Sequence, residues 1–324
     1  MYKNFFKLAR NPFEISPDPH FLYPTPWHNE ALAGLYYGIK ARKGFLVLSG
    51  EVGTGKSLIV RCLLDLLDRN GVAYAYVFNS LLSSQEFLHY VAGDLGVNYQ
   101  ADSKSNLLMQ LSLHLMGRTR QGLCTVLVVD EAQLLSTAVL EEIRLLTNLE
   151  TRHGKLLQII LVGQPELDVK LESYELRQLK QRIALRFQLR PLSEQQTQSY
   201  IERRLRLAGS NIPGIFSPQA SHHVFAYSRG FPRLINIICD NAMISAYAQG
   251  QLRVTPKIVD EVAADIHLDW SPRNHTGIAN AASESGNEKS KDNGGSDGVL
   301  NADLKDPSVV LTSSRSEEKS ESNI

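Results

Sequence analysis

The stretch Gly50-Glu51-Val52-Gly53-Thr54-Gly55-Lys56-Ser57 constrains this chain more than any other. It fits the pattern G-x-x-x-x-G-K-S/T. In that pattern the glycines let the backbone curl until its N–H groups converge on the α- and β-phosphates of a nucleotide. The lysine reaches the β- and γ-phosphates, and the serine hydroxyl takes a position on Mg²⁺. The flanks agree with this reading. Phe45-Leu46-Val47-Leu48 is a short apolar run of strand type, and residues 58–67 carry helical apolar spacing, so a helix N-terminus would face the phosphates.

A second nucleotide-site element lies downstream. Residues 124–129 form an apolar strand running into Asp130 and Glu131. An aspartate at the carboxyl end of a buried strand can hold Mg²⁺ through water, and a glutamate beside it can polarise water at the γ-phosphate. A further strand at 156–162 leads into Gly163-Gln164-Pro165, where the Gln164 amide is placed either to sense the γ-phosphate or to bond its own turn. With a strand at 72–78, helices at 84–95, 105–118 and 138–151, and a fifth strand near 185–189, the order alternates. Alternation of this kind predicts an α/β fold, a parallel sheet flanked by helices. Arg177, Lys180, Arg182, Arg186 and Arg190 lead through that fifth strand. They suit a subunit boundary, nucleic acid or a solvated face.

Residues 1–26 hold Asn11-Pro12-Phe13, Ser16-Pro17-Asp18-Pro19 and Tyr23-Pro24-Thr25-Pro26, too many prolines for a long helix or strand. They predict an irregular arm. Its Phe5, Phe6, Phe13, Phe21 and Tyr23 call for packing across the core or against a bound base. Residues 27–190 then form the nucleotide-binding core, opening with a helix at 27–42. Residues 191–270 read as all helix, with a capping box at Ser193 and Gln196 and proline starts at Pro218, Pro232 and Pro256, which suggests a lid. From 271 to 324 the composition collapses to Ser, Asn, Gly, Asp, Glu and Lys, as in a disordered tail.

Charge and cysteines bound the function. Of 34 Lys/Arg and 34 Asp/Glu, 6 and 9 fall beyond residue 270, leaving 28 against 25 before it. That small positive excess does not argue for nucleic acid by bulk charge. Cys62, Cys124 and Cys239 lie far apart, which excludes a disulfide scaffold or a four-cysteine zinc site. No apolar run approaches the roughly 20 residues of a membrane span. Residues 1–6 lack the long apolar core of a signal peptide, and the chain reads as cytoplasmic. The neighbours His222 and His223 diverge by about 100° on a helix and read as structural.

Several stretches together resemble a known family. They are Asn11-Pro12-Phe13, His28-Asn29-Glu30-Ala31-Leu32, the phosphate loop at 50–57, Val129-Asp130-Glu131-Ala132-Gln133, Leu161-Val162-Gly163-Gln164-Pro165-Glu166-Leu167 and Gly230-Phe231-Pro232-Arg233. In this order they resemble the AAA+ ATPases, and within them the ExeA/GspA type of bacterial secretion and pilus-biogenesis ATPases. The resemblance implies a P-loop NTPase of AAA+ type, with a five-stranded sheet, a C-terminal helical lid, ATP and Mg²⁺. It implies Asn79 as a switch on Glu131, Gln164 and Arg233 as first and second sensors, and Arg182 as a finger reaching a neighbouring subunit, with Arg177 and Arg186 as substitutes. An oligomer, such as a ring, serving a secretion, pilus or polysaccharide-export assembly follows, with a partner able to hold it at the inner membrane. Some relatives carry a membrane helix and a peptidoglycan-binding domain. Neither is expected here, so the short soluble members look closer and cell-wall binding is not carried over. The alternative is a DNA-associated ATPase, resembling transposition helpers and loaders.

Overall fold

The computed structural model describes residues 2–79, 81–97, 103–152 and 154–268. The strands in chain order are β1 (Phe45–Gly50), β2 (Ala73–Val77), β3 (Thr125–Val129), the two-residue β4 (Glu150–Thr151) and β5 (Gly154–Lys155), β6 (Gln158–Gly163) and β7 (Leu185–Leu189). Five of them form one parallel sheet in the order β2-β3-β6-β1-β7, while β4 and β5 make a separate antiparallel hairpin. Helices α1 (Tyr2–Phe5) and α2 (Pro26–Lys40) precede β1, and α3 (Lys56–Arg69) leaves the phosphate loop. Helices α4 (Ser84–Asp94) and α5 (Lys104–Arg120) lead to β3, α6 (Thr137–Leu146) follows it, and α7 (Pro165–Leu171) and α8 (Arg177–Lys180) precede β7. Beyond β7 come α9 (Glu194–Leu207), α10 (Pro218–Ser228), α11 (Pro232–Ala248) and α12 (Pro256–Asp265).

The strand sequences account for their places in the sheet. β1, β3 and β6 are apolar throughout or nearly so, and every one of their residues is buried. Such continuous runs suit strands covered on both faces. β7 lies at an edge, where Arg186 and Gln188 stay exposed between more buried neighbours. Period-2 alternation divides the core. Phe45, Val47, Leu127, Val129, Ile159 and Leu161 pack on the side of α4, α5 and α6. Leu46, Leu48, Val126, Val128, Ile160 and Val162 pack on the side of α2 and α3.

A third cluster joins the residues after β7 to the N-terminal segment. Phe6, Phe13 and Phe21 are buried with Ile201, Val224, Ile238 and Met243. Phe13 meets Phe216 edge-on at 6.0 Å, and Tyr23 meets Tyr200 at 5.8 Å. The arm aromatics thus pack on the helices that follow β7, with Phe5 and Tyr23 partly buried at the margin of this cluster. The arm has short ordered turns, the single turn of α1 and a 3₁₀ turn at Pro19–Phe21 capped by Asp18.

One expected element differs. The helix predicted over 138–151 ends at Leu146. Thr147 donates its hydroxyl to Arg144 O at 2.6 Å, and Lys155 Nζ donates to Thr147 O at 3.0 Å, so the β4–β5 hairpin takes the carbonyl that a longer helix would have used. The tail expected from residue 271 lies outside the described residues.

Candidate functional site

Parallel strand order brings the three polar segments together. Ser49 pairs with Gly163, and Val129 pairs with Leu161. The chain therefore leaves β1, β3 and β6 side by side, with residues 50–57, Asp130-Glu131 and Gln164 at adjacent carboxyl ends, where open α/β sheets present their ligand crevice. In the loop, Gly53 and Gly55 adopt φ of +81° and +105°, a region costly for residues with a Cβ. Lys56 is 7% exposed and donates to Gly50 O at 2.7 Å and Glu51 O at 3.1 Å. Burial lowers its pKa, and the carboxylates of Glu131 and Asp130 oppose that shift. Glu51, Val52 and Ser57 are exposed at the loop surface, while Thr54 is buried and donates to Glu51 O at 2.8 Å.

Two elements brace this loop from outside. His28 on α2 is buried against it, with Nε2 3.1 Å from Thr54 O and Nδ1 2.6 Å from Thr25 Oγ1. A carbonyl only accepts, so Nε2 carries the proton and Nδ1 accepts from the threonine hydroxyl. Burial lowers the His28 pKa. From the other side, the backbone N–H of Arg233 donates to Gly53 O at 3.3 Å, which rests the first turn of α11 on the loop. The Arg233 side chain is exposed and lines the cleft.

The acidic pair is held by different means. Asp130 is 8% exposed, accepts from Tyr76 Oη at 2.9 Å and from the Glu131 N–H at 2.9 Å, and has its pKa raised by burial. Glu131 occupies the left-handed region at φ 50°, ψ 37°, a conformation costing about 1–2 kcal/mol in a non-glycine residue. Its Oε2 accepts from Gln133 Nε2 at 2.6 Å and, more weakly, from Gln164 Nε2 at 3.4 Å. The backbone N–H of Gln164 donates to Gln133 Oε1 at 3.0 Å.

These groups face a cleft of about 440 Å³ whose lining includes Lys56, Ser57, Glu131, Gln164, Arg233 and Asn236, closed on one side by arm residues 14–18. Among the described residues no group of three or more His, Cys, Asp or Glu forms a metal cage. Ser57 and Asp130 nonetheless fit Mg²⁺ shared with phosphate and water oxygens, because both offer hard oxygen donors and burial still raises the Asp130 pKa although Lys56 opposes that shift.

Arg204, which no motif singled out, also lines the cleft. It is 5% exposed, donates from Nε to Pro12 O, from Nη1 to Tyr200 Oη at 2.6 Å and from Nη2 to Glu14 O at 3.4 Å, and lies 4.5 Å over the Phe21 ring. Tyr200 passes the link on to Asn236 of α11 at 2.9 Å.

Other expected residues lie elsewhere. Asn79 is exposed and accepts from Leu81 N at 3.1 Å, while the amides that meet Glu131 are those of Gln133 and Gln164. Arg182 donates from Nη1 to Thr147 Oγ1 at 2.7 Å. It precedes the start of β7, where Leu185 pairs with Leu46, so the roughly 13 Å of strand from Leu46 to Gly50, at about 3.3 Å per residue, separates its end of the sheet from the phosphate loop. Arg186 pairs with Asp168 at 3.0 Å, and Arg177 lies 4.0 Å over Tyr174. His222 Nδ1 meets Glu194 Oε1 at 2.6 Å and His223 Nδ1 meets Asp260 Oδ1 at 2.7 Å, in separate hydrogen bonds. Cys62 and Cys239 are buried free thiols whose pKa burial raises.

Comparison with known proteins agrees with this geometry. Residues 39–171 match the AAA domain family. Over 255 residues the chain is 46% identical to general secretion pathway protein A of Aeromonas hydrophila, covering 78% of this chain and 46% of that relative. The chain thus spans about half the length of the curated relative it matches. Among solved structures, Cdc6p from Pyrobaculum aerophilum aligns with a TM-score of 0.60 at 19% identity, over 78% of this chain and 70% of the other. The Aeropyrum pernix ORC2 protein, solved as ADPNP-ADP complexes, aligns at 0.59 and 17%, over 79% and 72%. The Thermotoga maritima RuvB Holliday junction branch migration motor aligns at 0.51 and 16%, over 75% and 69%. At these identities the likeness is one of fold, and the fold is that of an AAA-type P-loop NTPase with a helical C-terminal region. Among the described residues, no helix is long and apolar enough to cross a membrane.

Proposed function

We propose, for a chain that has the AAA-type P-loop fold and resembles general secretion pathway protein A, that it hydrolyses ATP and passes the change of nucleotide state to a partner in an envelope secretion, pilus or export assembly. The observation that carries the reading is the convergence of Lys56, Ser57, Glu131, Gln164 and Arg233 on one cleft, beneath which Asp130 is buried. In this reading residues 50–57 bind the phosphates, and Lys56 exchanges its loop carbonyls for the β- and γ-phosphate oxygens. Ser57 and Asp130 would hold Mg²⁺, which neutralises phosphate charge when bound. Glu131 takes a proton from the attacking water. Gln164 and Arg233 face the γ-phosphate from the sheet and from the lid. Arg182, a sheet's length from its own loop, suits a role in a neighbouring copy's site, so the working form is an oligomer.

Phosphate release and nucleotide binding test this. Wild-type protein should release phosphate in a Mg²⁺-dependent way. Lys56→Ala should keep its fold and lose ATP binding by calorimetry. Glu131→Gln should bind ATP and turn over about 10²–10⁴-fold more slowly. Wild-type affinity in the first variant, or wild-type turnover in the second, would refute the assignment. The ATP-locked Glu131→Gln protein is also the bait with which to capture the assembly partner.

A further inference from the structure

We infer that Gln133 is a positioning residue, whose side-chain amide holds the Glu131 carboxylate and ties it to the Gln164 segment so that base and sensor act as one unit. The inference rests on the reading of Glu131 as the water-activating base. Its starting point is backbone geometry. Side chains two residues apart on a regular helix point away from one another. Here Glu131 is left-handed and residues 132–134 form a 3₁₀ turn, and the two side chains meet at 2.6 Å.

The amide's orientation follows from chemistry. A carboxylate only accepts and a backbone N–H only donates, so Nε2 must face Glu131 and Oε1 must face the Gln164 N–H. Both ends of one amide are thereby engaged, at 2.6 Å and 3.0 Å. Among the described residues the donors that reach the Glu131 carboxylate, from Gln133 and Gln164, both fall on Oε2, which leaves Oε1 as the oxygen a water would meet.

The surroundings are shaped for this amide. A Cβ at position 163 would lie 2.8 Å from Gln133 Oε1, so glycine there admits it. Lys170 Nζ donates to the carbonyls of Gln133 and Leu135, which fixes the backbone of the turn. The link crosses from the end of β3 to the end of β6. A shift of Gln164 against a γ-phosphate would therefore move Gln133 and, with it, the carboxylate.

Two substitutions separate this role from packing. Gln133→Glu keeps shape, volume and the acceptor for the Gln164 N–H, but sets a second carboxylate against Glu131. Gln133→Met keeps volume and loses both bonds. If Gln133 acts through Glu131, Gln133→Glu should lower kcat about 30-fold or more and Gln133→Met about tenfold, on the scale of a carboxylate displaced by an ångström or less. ATP affinity, measured directly by calorimetry, should stay within about twofold in both, because neither variant touches the phosphate loop. In the Glu131→Gln background both should cost nothing further, since the group they act through is gone.

A packing role predicts the reverse order, with Gln133→Glu mild, and losses that persist in the Glu131→Gln background. Either result, or wild-type kcat in Gln133→Glu, overturns the inference while leaving Glu131 as the base. Full turnover by Glu131→Gln alone would overturn the base assignment first, and this inference with it.

Discussion

Truncating Arg204 should loosen the arm from the lid and weaken nucleotide binding together. The guanidinium is buried and makes two short bonds, to Pro12 O and Tyr200 Oη, besides a long one to Glu14 O at 3.4 Å. Bonds to a charged group contribute about 1.5–3 kcal/mol each, and the long one little. Stacking over Phe21 at 4.5 Å adds about 1 kcal/mol. Against this, Arg204→Ala removes a buried charge whose desolvation costs several kcal/mol. The net loss should be about 2–4 kcal/mol, because the Pro12 carbonyl and Tyr200 hydroxyl stay behind with a partner missing. At about 2–4 °C per kcal/mol for a body of this size, the midpoint should fall roughly 4–16 °C by calorimetry. Residues 14–18 also line the cleft, so ATP affinity should drop about tenfold, or about 1.4 kcal/mol. Arg204→Lys keeps the charge without the fork and should fall between the two. A midpoint within 1 °C of wild type, with the arm no more open to protease, would show that those groups find water readily and refute the reasoning.

His28 ties stability to pH. Its folded-state pKa lies below the ordinary value of 6.5 through burial. As pH falls through 6.5 the unfolded chain takes up a proton that the folded protein refuses, so stability should be lost on acidification from about pH 7 to 5. His28→Gln should melt with a flatter dependence over that window; an unchanged slope would contradict this. At Gly230, with φ +77°, an added Cβ would stand 1.9 Å from Leu192 O, so Gly230→Ala should destabilise by about 3 kcal/mol or more. A melting point within 2 °C of wild type would contradict that. If Arg182 acts in a neighbour's site, Arg182→Ala should bind ATP normally and hydrolyse it about 10³–10⁵-fold more slowly. Mixing it with Glu131→Gln should restore some activity, and no recovery on mixing would count against the trans role.

The division between what could be read along the chain and what could not is physical. Residues 50–57 announce themselves because the glycines, the lysine and the serine act through local backbone geometry. The apolar runs before Gly50, Asp130 and Gln164 likewise mark strands covered on both faces. Once such strands lie parallel, their polar ends must share one edge, and most of the cleft follows.

Partners set by packing were not legible. Arg204 sits in the pattern of α9 like any charge meant for solvent, and only the docked arm buries it, through a bond to Pro12, 192 positions away. His28 stands in a stretch that carries the resemblance, but its bond to Thr54 O across 26 positions appears only once α2 packs on the loop. The resemblance named Asn79 as a switch on Glu131, but nothing along the chain announced that the Gln133 amide meets that carboxylate. Helix α6 stops at Leu146, where Lys155 on the second strand of a hairpin takes the Thr147 carbonyl. Sequence alone determined which segments meet at the cleft, since their conformations are local. Tertiary structure decided which side chain each meets, since a buried polar group settles on whatever partner the assembled core brings within about 3 Å.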